Sequence, residues 1–599
     1  MEVDKVSFYP LLLDVLTDIS ESHFVTFDLE LSGIPSKVAR SGEGKGRQTL
    51  QERYTEVKEA AERYQILQIG LTCVQQDVQK QKYILKPYNF ELSPVILEKG
   101  LDIERIFSFQ SGAAEFLLKV GFDMSLPFER GVPYLSRPET KEAREKHANR
   151  QDKSAIADIQ LKPTEVESLA FLERVRTDIR TWLESRKHNA TEYVNIGSAP
   201  DEYDNDEPGM NNTEPQAELS RFEKRLVHQL VRAEFPELVT ISKRGFVQIV
   251  RFNKEREDRI AAERVRELEE RIGRQKGFRW VIEALNGGDI SDLDLKECAK
   301  DPHTGAHIFF DMDEYKAQFH RAANIMRKNP RVLIGHNCFL DLVYIYRTFI
   351  GELPDSVEEF QEKIHNLWPV IVDTKYMSTH NCGDISPASS LEQIASQLSD
   401  EPKPIMEIDD QHKKYQGVEL LHEAGYDSFL TAQIAIRLSA KLEKQGSYVD
   451  TNTLPQESKE TNGITNDVNG LSLNEQTLET HAYHAANGTS PPPDLDGFMP
   501  SVEGARWKRR GDATLSMPDP SDPFEYKPRD LKHHQTDNRG DESFEGGMPR
   551  FKSDFWRTYG NKLRVFGTEE GICVLDNSSK DAMDEEEDTT IGQGGVAVL

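Results

Sequence analysis

Phe8, Leu11, Leu12, Val15, Leu16 and Ile19 recur at helical spacing, and the chain then switches to strict alternation. From Val25 to Leu31, the apolar Val25, Phe27, Leu29 and Leu31 alternate with Thr26, Asp28 and Glu30. A strand there places both carboxylates on the face opposite the apolar set. Gln65 to Val74 and Lys82 to Leu85 read as two further strands, and the short polar link between them favours antiparallel pairing. Ser111 to Val120 reads as a short helix, and the charged, featureless run from Arg137 to Ala155 marks a boundary. Pro163 to Arg186 reads as a helix, and Ala199 to Ala217 as an acidic linker. A helix with two short strands follows over Leu219 to Phe252, then a heavily charged helix from Lys254 to Lys276. Val332 to Ile334 is a buried-strand run, Gly335 and His336 form a turn, and Asn337 is a natural N-cap for an apolar helix. Leu367 to Met377 reads as a strand and Ser390 to Leu398 as a helix. Gly425 and Tyr426 precede a long amphipathic helix, with His422 in its lead-in and Asp427 in its first turn. Beyond Gly446, Asn, Ser, Thr, Glu, Gly and Pro dominate to about Met548, a composition of disorder containing a short basic run, Ala505 to Asp512. Phe555 to Leu575 regains aromatic and aliphatic density, as a hairpin docking on the fold would.

Composition narrows the class. The 599 residues suffice for two to four domains, and 30% charged residues beside 37% hydrophobic ones suggest folded and disordered parts together. A net charge of −29 argues against coating nucleic acid through the overall field, so any such site is local. The five cysteines form no C-x-x-C, which fits a reduced compartment and no zinc knuckle. The start MEVDKVSFYP has no secretory pattern and the apolar run Val332 to Ile350 is interrupted by His336, Asp341 and Arg347, so no membrane span is expected. A soluble nuclear or cytoplasmic protein is the resulting expectation.

Asp28 and Glu30 put two like charges side by side. Such a pair either keeps a proton or shares a hard divalent cation. For an isolated D-x-E, a solvated acidic face is the commoner explanation. Asp341 sits in an apolar helix, where an ionised carboxylate is costly without a partner or a metal, and Arg347 is poorly offset to pair with it. The dipole at a helix start keeps Asp427 ionised. Lys224, Arg225, His228, Arg232, Lys243, Arg244 and Arg251 form the densest basic group in this acidic chain, either a phosphate-contacting surface or a salt-bridged helix face.

The order D-x-E, D, H-x-x-x-x-D resembles the DEDD 3′ exonucleases whose fifth residue is histidine, the DEDDh subclass. FDLELSGI, YQILQIGLTC, KYILKPYNF, FQSGAAEFLLKVGFD, LIGHNCFLDLVYIYRTF, VDTKYM and HEAGYD together resemble the poly(A)-specific ribonuclease family. The resemblance implies an α/β, ribonuclease H-like mixed sheet flanked by helices, interrupted by a small αβ insert of the R-x-x-x-H type and followed by a largely disordered C-terminal region. The implied division is nuclease 1–145 and 277–445, nucleic-acid-binding insert 160–253, linker 446–548, short ordered segment 549–577 and acidic tail 578–599. It implies two Mg²⁺ ions, with Mn²⁺ as a substitute, held by Asp28, Glu30, Asp341 and Asp427, and His422 as general base. RNA would be contacted by Asn337, Lys224, Arg225 and His228, and the product would be 5′-mononucleotides cut from single-stranded 3′ ends, poly(A) tails among them. The family's habit implies a homodimer. Two departures stand out: Lys224 replaces the signature arginine, and Leu31 stands where the family has an aromatic residue. An RNA-recognition domain after the nuclease is not visible. The alternative is a catalytically inactive RNA-binding or scaffold protein on the same fold.

Overall fold

The computed structural model describes residues 1–35, 48–151, 158–185, 192–198, 218–446, 543–565 and 571–576, apart from 288, 303, 309–310, 381–384, 386–388 and 402. The expectations for 199–217, for 447–542 with its basic run, and for the acidic tail lie outside the described residues. The chain divides into two units, Met1–Ala143 with Ile272–Leu599, and Arg144–Arg271. Among the described residues no helix is long and apolar enough to cross a membrane.

The larger unit is built on an eight-stranded mixed sheet with helices on its faces, as the α/β expectation requires. Helix α1 (Phe8–Glu21) leads into β1 (Phe24–Leu31), followed by β2 (Ile66–Asp77) and β3 (Lys82–Ser93). Then come β4 (Val332–Gly335), α2 (Phe339–Ile345), β5 (Ile371–Asp373) and α3 (Ala424–Gln445). β1 pairs antiparallel with β2, and β2 with β3, whereas β1–β4 and β4–β5 are parallel. Val25, Phe27, Leu29 and Leu31 pack with Leu12, Leu16 and Ile19 of α1 in one core. Each such side chain contributes about 1.5–3 kcal/mol when fully buried. On the other face, Phe24 packs with Ile434, Leu438 and Leu442 of α3 in a second core.

The face of β1 bearing Thr26, Asp28 and Glu30 is not the solvated acidic face of the alternative reading: Thr26 is 0% and Glu30 9% exposed, because α3 lies over it. Three sequence expectations change. β3 runs on to Ser93 instead of ending near Leu85. The polar Lys86 that breaks its apolar pattern is buried there, ion-paired to Asp18 at 2.6 Å. Leu367 to Met377 yields only the three-residue β5, after which Asp373 caps a helix, Thr374–Thr379, by accepting from the Lys375 N–H. The run from Arg137 is a helix to Gln151, not featureless coil. Its start is closed by Ser136 and Glu139, each side chain accepting from the other's backbone N–H, the S-x-x-E signature of a helix start.

The described residues after 542 pack on the same unit. Phe555, Trp556 and Tyr559 join the core beneath α3, and a hairpin of β6 (Lys562–Arg564) and β7 (Ile572–Val574) is held through Gln361, which donates to Val574 O at 2.8 Å. Cys73, Cys298, Cys338 and Cys573 are free and buried.

In the smaller unit, strands Tyr193–Ile196, Val247–Arg251 and Leu238–Ser242 form an antiparallel sheet in that spatial order. Helices Val166–Ser185 and Arg221–Glu234 share its core through Val175, Ile179, Leu226, Val227 and Val231. The second helix begins at a Ser220–Glu223 capping box.

Candidate active site

The start of α3 is bolted to the sheet by side chains of neighbouring strands. Gln68 Oε1 accepts from the Ala424 N–H at 2.9 Å and Asn89 Oδ1 from the Gly425 N–H at 3.0 Å, satisfying two amides left open by any helix start. Thr26 donates to the Ser428 carbonyl at 2.7 Å, and the Thr72 and Ser428 hydroxyls meet at 3.0 Å. The approach is so close that only glycine fits at two positions. A Cβ on Gly70 would come within 1.8 Å of Ala424 O, and one on Gly425 within 2.2 Å of the Tyr415 hydroxyl. Gly70 is the cross-strand partner of Asp28, and Gln68 that of Glu30. The first turn of α3 is therefore laid over the carboxylate face of β1, which carries Asp427 to Glu30.

Glu30, His422 and Asp427 offer ligand atoms that all lie within 4.8 Å of one another. His422 has a left-handed backbone, φ 63°, and its N–H donates to Asp427 Oδ2 at 3.2 Å. Its ring meets Phe116 edge to face, centroids 4.8 Å apart. Asp427 Oδ1 is buried with no hydrogen-bond partner. A buried, unpaired carboxylate oxygen beside another carboxylate is unfavourable unless a cation or a proton supplies the missing charge.

The electrostatics agree. Burial, then the charges of Asp427, Asp341 and Glu30, push the Asp28 carboxyl well above its ordinary range. Glu30 is raised well above its own by burial, then by Asp427 and Asp341. Burial pushes Asp427 up to about 7 against the opposing pull of the His422 N–H, so its helix-start position does not keep it ionised as the sequence suggests, and burial followed by the charge of Asp373 raises Asp341 to about 7. Burial also lowers His422, so its ring is neutral at neutral pH. Four acids raised above their ordinary range by burial and by neighbouring charge fit a site for hard divalent ions, which favour the ionised forms and take carboxylate oxygens as ligands.

Of the five acidic and imidazole candidates, the structure gathers Glu30, His422 and Asp427 most tightly, with Asp28 and Asp341 half-buried and within the same electrostatic field. Asn337 is not the N-cap of α2. It takes a left-handed φ of 55° and gives its N–H to Asp373 at 2.7 Å, leaving Cys338 as the cap. Lys224, Arg225 and His228 belong to the smaller unit. There the Lys224 ammonium donates to Lys243 O at 2.5 Å, and the His228 ring pairs with the Thr240 hydroxyl at 2.6 Å, while Arg225 is exposed. Sequence reasoning missed Asp373, whose signal was an acid ending an apolar strand and followed by threonine.

A family model for the CAF1 family ribonucleases matches residues 3–435. The poly(A)-specific ribonuclease PARN of Xenopus laevis is 23% identical over 459 residues, 75% of this chain and 63% of that protein. The chain thus matches less than two thirds of that relative's length. The pre-piRNA 3′-exonuclease trimmer of Bombyx mori is 24% identical over 461 residues, 74% of this chain and 73% of that protein. Among solved structures, Pop2p of Schizosaccharomyces pombe with Mg²⁺ and Mn²⁺ bound is 11% identical at a TM-score of 0.32, covering 75% of this chain and 95% of that one. With the family pattern running through both halves of the larger unit and across the insert between them, the chain belongs to the CAF1 family of ribonucleases.

Proposed function

We propose that this chain is a divalent-metal-dependent 3′-to-5′ exoribonuclease that shortens single-stranded RNA from a free 3′ hydroxyl and releases 5′-mononucleotides. One observation carries the reading most: Glu30, His422 and Asp427 converge within 4.8 Å from segments nearly 400 residues apart, around a buried carboxylate oxygen with no partner. A catalytically inert descendant of the fold has no reason to keep that arrangement unsatisfied.

Asp28, Glu30, Asp341 and Asp427 would hold Mg²⁺ or Mn²⁺. When bound, such ions supply an activated water, neutralise the phosphate and stabilise the departing 3′ oxygen. The protein's own contribution is to aim and to move protons. His422, neutral through burial and steadied by Phe116, takes the proton of the attacking water on a ring nitrogen. The hydrogen bond that the His422 N–H donates to the Asp427 carboxylate holds that residue in its left-handed conformation and links base and acid in one unit. Asn337 and the basic helix with Lys224, Arg225 and His228 are the proposed RNA contacts. The relatives are named for poly(A) and for pre-piRNA ends, so the substrate class proposed is the single-stranded 3′ tail, adenosine-rich tails included.

The test is a 5′-labelled oligoribonucleotide incubated with the full chain, with Mg²⁺ or with EDTA. A ladder shortening from the 3′ end, mononucleotide product, and resistance of a 3′-phosphorylated oligomer are expected. RNA that is bound but never shortened would establish the inert alternative instead.

A further inference from the structure

Asp373 is completely buried, 0% exposed, at the end of β5 beside Gly335 of β4. Its two oxygens collect backbone N–H donors from three segments. Oδ1 accepts from Asn337 at 2.7 Å and Lys375 at 2.8 Å, and Oδ2 accepts from Arg564 at 2.9 Å. Thr374 adds to the same grip: its hydroxyl donates to Gly335 O at 3.1 Å and meets the His336 ring at 2.8 Å. The whole turn from Gly335 to Asn337 is therefore hung on two consecutive residues. That turn delivers the chain into α2, whose first turn bears Asp341. Asn337 stays at φ 55°, an unfavourable region for most side chains, and such a conformation persists where its surroundings over-determine it. The third donor comes from 191 residues further along, on the hairpin strand β6. Arg564 pairs with Ile572 across that hairpin, but its N–H is spent on Asp373. Asn561 anchors the same hairpin to β5: its Oδ1 accepts from the Ile371 N–H at 2.9 Å and its Nδ2 donates to Pro369 O at 2.9 Å.

We propose that Asp373 is a positioning residue that ties the docked C-terminal hairpin to the turn aiming Asp341, which makes the hairpin a working part of the nuclease site. The proposal rests on the metal-dependent reading above. Undocking β6 takes the Arg564 N–H away from Oδ2 in a buried site, and the carboxylate then has reason to shift and release Asn337. A metal ligand held by a loosened support binds its ion less well, and loss of such outer-shell support typically weakens metal affinity or activity by about 10–100-fold.

Two full-length variants test it. Asp373→Asn alters the hub, and Asn561→Gly removes a hairpin anchor while tolerating that residue's φ of 56°. The readouts are Mn²⁺ affinity by electron paramagnetic resonance, the Mg²⁺ concentration giving half-maximal RNA shortening, and the melting temperature in EDTA. We expect Mn²⁺ affinity to fall about 10-fold or more in Asp373→Asn and several-fold in Asn561→Gly, with activity recovering toward wild type at high Mg²⁺. Asn561→Gly decides the matter should Asp373→Asn fail to fold. A folded Asn561→Gly that binds Mn²⁺ and responds to Mg²⁺ as wild type does overturns the proposal. A wild-type chain that neither binds Mn²⁺ nor shortens RNA overturns the underlying exonuclease reading, and this one with it.

Discussion

Asp18 and Asp427 are both buried acids, 1% and 8% exposed, on helices α1 and α3 that cover opposite faces of one sheet. Asp18 is fully accommodated: the Lys86 ammonium donates to one oxygen at 2.6 Å and the Tyr88 hydroxyl to the other at 2.7 Å. Asp427 receives one long bond from the His422 N–H, keeps Oδ1 without a partner, and has Glu30 as its neighbour in place of a cation. The first arrangement stores its charge in a closed pair and has nothing left to offer a ligand. The second packs acids against one another, so that burial and mutual repulsion raise them above their ordinary range, an arrangement maintained against stability and therefore informative about function. Burial alone does not mark a site; burial without compensation does.

Substitution should separate the two acids. Asp427→Asn or Asp28→Asn is expected to lower RNA-shortening activity by on the order of 10³-fold or more, because each removes a proposed ligand for the ions, with the melting temperature in EDTA unchanged or raised. Asp18→Ala should do the reverse, destabilising by about 3–5 kcal/mol as Lys86 is left buried and unpaired. Its activity per folded molecule should stay near wild type. Urea unfolding and initial rates on the same preparations check both. An Asp18 variant that is stable but inactive would break the comparison.

Gly70→Ala should be milder and mixed. The new methyl group meets the Ala424 carbonyl, so α3 must lift from the sheet at about 1–3 kcal/mol, and activity should fall with it because Asp427 moves away from Glu30. Gly446→Ala, at the far end of α3 with open space around it, is the control for backbone strain without displacement of the site.

The smallest effect concerns pH. Asp341 and Asp427 have folded-state values raised to about 7, so between about pH 4 and 7 they hold more protons in the folded chain than in the unfolded one, and Asp28 and Glu30 are raised in the same direction. Their contribution to stability is thus lost as pH rises through that window. In EDTA the melting temperature of the wild type should fall by on the order of 5 °C more than that of Asp427→Asn between pH 5 and 8. Added Mg²⁺ should remove most of the difference.

Much of the candidate site is legible in the sequence because its signals are local. Asp28 and Glu30 announce themselves by alternation, Asp341 by being charged in an apolar helix, and His422 and Asp427 by their place at a helix start. What alternation could not reveal is which face of β1 is covered, since that depends on α3, nearly 400 residues later. The same limit hid Lys86, a buried position disguised by the charge that Asp18 satisfies. Asp373 escapes for a related reason: its partners Asn337 and Arg564 are 36 and 191 residues away, and capping the helix at Lys375 is only the most local of its tasks. The helix from Arg137 was a different kind of miss. Its Ser136 and Glu139 signature was present in the sequence and was outweighed by the lack of apolar periodicity.

The central claim, that the acids around Asp427 hold protons until divalent ions replace them, is tested most directly by calorimetric titration of Mg²⁺ into the full chain near pH 6.5 in two buffers of different ionisation enthalpy. The account predicts that binding releases protons, that the release shrinks as pH is raised to 8, and that it is lost with the binding itself in the Glu30→Gln, Asp427→Asn double variant. Mg²⁺ binding without proton release, or equal binding by the double variant, would contradict it.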